Sequence, residues 1–227
     1  MSLVLVAHGT HKQRGVAMVG DLAQRVSATL GETVHVSFVD VLGPTPSEVL
    51  AATPDEPVTL VPAFLSSGYH VTTDIPAHVE ASGHPDVTVT EALGPGPQLV
   101  RVLADRLLES GWRRDDSVIL AAAGTSDPGA QRDLHTMATW LSATTGSRVE
   151  LAFAATGTPR VADAVTALRR RRRGRVVIAS YLLSEGLFQD RLRASGADVV
   201  TEPLGTHPGL VRLIASRFRR ARVPMAA

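Results

Sequence analysis

Three side chains in the first third of the chain have the types that hold a metal ion and move protons beside it. They are His8 in Val6-Ala7-His8-Gly9-Thr10, Asp40 in Phe38-Val39-Asp40, and His70, which closes Val61-Pro62-Ala63-Phe64-Leu65-Ser66-Ser67-Gly68-Tyr69-His70. Neutral imidazole ligates divalent first-row metals and, with an unperturbed pKa of about 6.5, also accepts a proton near neutrality. Two imidazoles and a carboxylate make a centre for such a metal with coordination positions left open. Around them, glycine lets the backbone approach a ligand, and amides and hydroxyls receive anions. Gly9, Thr10, Ser66, Ser67, Gly68 and Tyr69 are therefore the expected substrate contacts. A single histidine at a strand end decides nothing; the expectation depends on all three ligands meeting.

The elements that must bring them together can be read from periodicity. Short β-rich runs at 3–7, 34–39, 58–61 and 87–89 alternate with helical stretches. In the first stretch Val16, Val19, Leu22, Ala23, Val26 and Leu30 recur at helical spacing, and Gly31 is placed to end it. Strand–helix alternation implies parallel sheets covered on both faces, with ligands beyond the carboxyl ends of the strands. His8, Asp40 and His70 follow three successive predicted strands and so belong to one rim. Asp74, ahead of Ile75-Pro76, reads as the N-cap of the next helix.

The chain repeats itself. Glu91-Ala92-Leu93-Gly94-Pro95-Gly96-Pro97-Gln98-Leu99-Val100-Arg101 aligns with Glu202-Pro203-Leu204-Gly205-Thr206-His207-Pro208-Gly209-Leu210-Val211-Arg212, and Ala104 and Arg106 continue as Ala215 and Arg217. Gly9-Thr10 meets Gly124-Thr125, and Leu65-Ser66-Ser67-Gly68 meets Leu183-Ser184-Glu185-Gly186. A period this long means a duplicated domain rather than a solenoid. The second copy has predicted strands at 118–120, 149–153, 176–179 and 199–200. The expected architecture is α/β: two tandem lobes, 1–114 and 115–227, each a four-stranded parallel sheet with helices on both faces, around a cleft. At the places of His8 and His70 the second copy has Ala123 and Phe188. It keeps the scaffold and lacks the imidazoles, so one metal site in the first lobe is expected.

Composition narrows the classes further. Of 227 residues, 44% are hydrophobic, 20% charged and none is cysteine, which excludes disulfides, thiolate metal sites and a cysteine nucleophile. No apolar run reaches the roughly 18 residues of a membrane span, and the start lacks the cationic region of a signal peptide; a cytoplasmic protein is expected. The net charge of +1 conceals an acidic first half and a basic second half. Arg169-Arg170-Arg171-Arg172-Arg173-Gly174-Arg175 reads as a solvated helix end, since cations suit a helix C-terminus. With aromatics at only 4%, no nucleic-acid partner is expected. Gly94-Pro95-Gly96-Pro97-Gln98-Leu99 lacks the third glycine of a dinucleotide loop and reads as a turn.

Taken together, Ala7-His8-Gly9-Thr10, Phe38-Val39-Asp40, the loop from Val61 through Gly68 and His70, Asp74-Ile75-Pro76 and the Leu-Gly-x-x-Pro segment of both halves resemble the sirohydrochlorin chelatase family. These are the cobalt- or iron-inserting class II chelatases, and the resemblance spans nearly the whole chain in the two-lobed, fused form. It implies a lyase that inserts Co2+ or Fe2+, with Ni2+ also compatible, into sirohydrochlorin for sirohaem or cobalamin synthesis. His8 and His70 would bind the metal and assist pyrrole deprotonation. Asp40 stands where the family commonly carries Glu, and His11 where it commonly carries Arg, so no anion-binding role passes to His11. The metal is then a substrate, no organic cofactor is needed, and sirohydrochlorin and the ion are the partners. Fusion of two lobes can replace a dimer interface, so a monomer is expected.

Two other classes fit parts of the pattern. A non-catalytic tetrapyrrole or metal carrier could use the same residues, and would bind at most one equivalent where an enzyme turns over many times. A hydrolase or transferase would need a nucleophile beside a base, and neither Ser66 nor Ser67 has a sequence-level claim to activation.

Overall fold

In the computed structural model, which describes residues 1–10, 12–53, 56–171 and 174–222, two sheets of identical order form from the two halves of the chain. The first half gives β1 (Ser2–Ala7), α1 (Gln13–Leu30), β2 (Val34–Phe38), α2 (Pro46–Ala51), β3 (Val58–Pro62), a π-helical turn (His70–Asp74) running into α3 (Ile75–Ser82), β4 (Val87–Val89) and α4 (Pro97–Glu109). The second gives β5 (Ser117–Gly124), α5 (Pro128–Thr145), β6 (Val149–Thr156), α6 (Val161–Arg171), β7 (Val176–Tyr181), α7 (Leu187–Arg193), β8 (Val199–Val200) and α8 (Pro208–Ala221). The sheets run β2-β1-β3-β4 and β6-β5-β7-β8, parallel throughout. All eight predicted strands are present. His11, Arg172 and Arg173 lie outside the described residues.

Alternation along the central strands explains their continuous apolar runs. Val4 and Val6 of β1 join Val58 and Leu60 of β3 against Leu50 of α2 and Ile75 of α3. Leu3 and Leu5, buried as well, point to the opposite face, which α1 and α8 cover. The stripe Val19, Leu22, Ala23 and Val26 of α1 is buried as its spacing predicts, and Gly31 ends the helix in the left-handed conformation, its N–H donating to the Ser27 carbonyl. In the second sheet Ile119, Ala121, Val176 and Ile178 pack against Val161 and Val165 of α6 and Leu192 of α7.

The compact units differ from the lobes 1–114 and 115–227 expected from the repeat. One comprises Met1–Gly94 with Thr206–Ala227, the other Pro95–Gly205. The last helix of each half has been exchanged. Helix α8 buries Leu210, Leu213, Ile214 and Phe218 and packs on α1 and β3. Helix α4 buries Leu99, Leu103 and Leu107 and packs on α5 and β7. The repeat-matched arginines secure each exchange: Arg217 donates to the Ala92 carbonyl and pairs with Glu91, both at 3.0 Å, and Arg106 donates to the Leu204 carbonyl at 3.2 Å. Among the described residues no helix is long and apolar enough to cross a membrane.

Candidate functional site

His8 immediately follows β1, and His70 opens the π-helical turn that follows β3. These strands are neighbours, with Val6 beside Pro62 at their carboxyl ends, so topology carries both histidines to one rim of the first unit. Gly9 bends the chain there with φ +88, and a β-carbon on it would lie 2.2 Å from the Asp40 carbonyl oxygen. Only glycine fits. The Asp40 N–H donates to the His8 carbonyl, which ties the ends of β1 and β2 together. On the other side, the Gly68 carbonyl accepts the N–H groups of Val71 and Thr72 and starts the turn that presents His70.

The two imidazole rings stand 4.5 Å apart between centroids, nearly perpendicular at 89°. With metal–nitrogen bonds of about 2.0–2.1 Å, imidazoles on adjacent positions of one ion bring their ring centres to about 4–5 Å. The pair therefore already has the spacing that a shared cation needs. His8 is exposed, and His70 is one-third exposed, with the Phe64 ring at 5.7 Å and the Tyr69 ring at 6.1 Å. Tyr69 itself is 61% exposed and offers an aromatic surface beside the pair.

Asp40 does not complete the expected three-ligand set. Among the described residues no three histidine, aspartate or glutamate side chains gather closely enough to hold a metal ion. The cause is local. Phe38 ends β2, and the chain then reverses through a three-residue turn in which the Leu42 N–H donates to the Asp40 carbonyl and Val41 has φ +70. The Asp40 carboxylate accepts the Val41 N–H at 2.7 Å and supports this turn instead. A β-branched residue with positive φ is strained, and such strain collects at functional sites.

Asp74 corrects a second expectation. It is helical, makes no capping hydrogen bond, and places its carboxylate 2.6 Å from His70 Nδ1. The i, i+4 spacing of His70 and Asp74 was the available signal, since residues so spaced meet on a helical turn. Pro76 does sit in the first turn of α3, as expected. His78 lies on that helix with its Nδ1 3.1 Å from the Ser47 hydroxyl.

Of the expected substrate contacts, Thr10 accepts the Lys12 N–H and lines an open groove of about 470 Å³ with Gln13, Val16, Ala17, Phe38, Leu42 and Gly43. Ser67 and Tyr69 are exposed, and Ser66 and Gly68 are half-buried. The second unit repeats the framework without the imidazole pair. Gly124, with φ +99, abuts the Thr156 backbone as Gly9 abuts Asp40, while Ala123 and Phe188 stand where the histidines would be. The Arg191 guanidinium lies 5.7 Å from the Phe188 ring centre. The arginine run ends α6, where Arg169 pairs with Asp198 and Arg171 with Glu150.

Comparison with known proteins finds relatives over nearly the whole chain. The CbiX family model matches residues 2–110 and 117–221, once for each half. A sirohydrochlorin ferrochelatase of Priestia megaterium is 23% identical, with 96% of this chain and 89% of that protein covered. A sirohydrochlorin cobaltochelatase of Methanothermobacter thermautotrophicus is 26% identical over 47% of this chain and 90% of its own length. SirB from Bacillus subtilis with Fe3+ has the same fold, with TM-score 0.85 at 18% identity over 97% of this chain and 94% of that one.

Proposed function

The chain belongs to the CbiX family, the sirohydrochlorin chelatases, and from that premise we propose that it inserts Fe2+ or Co2+ into sirohydrochlorin through His8 and His70. The observation that carries this reading is the imidazole pair, 4.5 Å apart at the rim of the first unit.

Insertion removes two pyrrole protons, strips water from the ion and places it in the ring plane. The two imidazoles hold the cation at the rim and, as each nitrogen hands the ion on to the macrocycle, its freed lone pair takes up a proton that the pyrroles release. Asp40, tied to His8 through the backbone, contributes negative charge that offsets the incoming cation rather than a preformed ligand bond. Tyr69 lends a flat apolar surface to the macrocycle, while Gly9, Thr10, Ser66, Ser67 and Gly68 offer backbone and hydroxyl contacts to its carboxylates. The metal is a substrate, and the proposal includes a monomeric, cytoplasmic enzyme. The iron and cobalt relatives support both metals as substrates.

The test is insertion itself. Purified protein mixed with excess sirohydrochlorin and either Fe2+ or Co2+ should convert many equivalents of the macrocycle, followed by its absorbance. Conversion limited to one equivalent would make the protein a carrier.

A further inference from the structure

The two imidazoles are held differently. The Asp74 Oδ2 lies 2.6 Å from His70 Nδ1, across a π-helical turn closed by the Ile75 N–H donating to the His70 carbonyl. Both side chains are one-third exposed or less. A carboxylate only accepts hydrogen bonds, so in neutral His70 the bonded Nδ1 carries the hydrogen and the in-plane lone pair is on Nε2. For His8, the described side-chain hydrogen bond joins Nδ1 to the carbonyl of its own neighbour Gly9 at 3.1 Å, in an exposed setting.

We infer that Asp74 is a positioning residue that fixes the tautomer and orientation of His70, making His70 Nε2 the anchoring donor to a divalent cation and leaving His8 as the ring with room to turn. What the donor serves rests on the chelatase reading; the tautomer does not. Carboxylate partners of this kind orient metal-binding imidazoles and change metal affinity by about 10–100-fold when removed.

Long-range nitrogen–proton NMR of the metal-free protein in mildly alkaline buffer should show His70 protonated at Nδ1. In Asp74→Asn the amide can donate to Nδ1, so the pattern should move toward Nε2–H, and Co2+ affinity measured by titration should fall about 10–100-fold. Asp74→Glu should recover most of that affinity, which a merely structural role would not predict. Wild-type His70 protonated at Nε2, or a folded Asp74→Asn protein with unchanged Co2+ affinity, overturns the inference. If Asp74→Asn does not fold, the wild-type tautomer and the Asp74→Glu affinity decide. Failure of the wild type to insert metal, with the tautomer and Co2+ results as expected, would sink the chelatase reading and leave the positioning role standing.

Discussion

Gly9 lies against the carbonyl of Asp40 so closely that a β-carbon at position 9 would stand 2.2 Å from its oxygen. The contact welds the loop carrying His8 to the loop after β2, and it involves backbone, which cannot swing aside. Gly9→Ala combines this clash with a left-handed φ, and should cost about 2–4 kcal/mol of stability. Gly31→Ala is the control: its φ is +73, but nothing lies within 4 Å of the added carbon. That variant should lose only about 1–2 kcal/mol. Urea titration of both proteins measures the difference, and equal losses would show that the loop junction yields.

The imidazole pair predicts a sharp separation of stability from activity. His8 is exposed and His70 one-third exposed, so neither His8→Ala nor His70→Ala leaves a core cavity, and thermal unfolding should scarcely move. Insertion should fall about 100-fold or more in each, as expected when a ligand and proton acceptor is removed. Full activity in His8→Ala would take that ring out of the mechanism.

Much of this was legible in the sequence, and the exceptions have physical causes. The strands announced themselves because buried parallel strands are continuous apolar runs, as in Leu3, Val4, Leu5 and Val6. The meeting of His8 and His70 followed from strand order. Side-chain direction did not. Asp40 turns onto its own backbone because β2 stops at Phe38 and Val41 takes a positive φ, which no residue type there foretells. Asp74 has the composition of a helix cap and becomes a partner of His70 because the helix starts four residues earlier, in a π-helical turn. The exchange of α4 and α8 was hidden by the repeat itself: both helices have the same apolar pattern, so each fits the other's place.

The three-residue turn at Asp40 separates a ligand from a structural carboxylate. If Asp40 supports the Val41 turn, Asp40→Asn keeps an acceptor for the Val41 N–H and should change Co2+ affinity by less than about tenfold, well short of the loss expected for either histidine. Equilibrium Co2+ titration of the three variants gives the ranking. A deficit in Asp40→Asn as deep as in His70→Ala would restore the carboxylate to the ligand set.

Part of the acid sensitivity should be traceable to Glu48, one of several carboxylates held below their usual pKa. Its carboxylate accepts the Thr45 N–H at 2.7 Å in the capping box of α2, and these hydrogen bonds to Thr45 hold its pKa below the usual 4.5. A depressed folded-state pKa contributes stability above the unfolded value and loses it as pH falls through the folded one. Glu48→Gln should therefore reduce stability at neutral pH and flatten its decline below about pH 4.5. Urea midpoints collected across that range test both parts.

The exchange of helices makes the first unit dependent on the last turns of the chain. Leu210, Leu213, Ile214 and Phe218 are buried against α1 and β3. At about 1.5–3 kcal/mol for each buried side chain, α8 contributes roughly 6–12 kcal/mol, which rivals the 5–15 kcal/mol that stabilises a whole domain. A chain truncated after Gly205 should keep the second unit, which holds its own α4, and lose the first. Hydrogen exchange should then show β1, β2 and β3 unprotected while β5 and β7 remain slow. The same dependence means that Met1–Gly94 joined by a flexible linker to Thr206–Arg222 should fold on its own. Retained protection of β1 in the truncated chain would show that α8 covers a sheet that is stable without it.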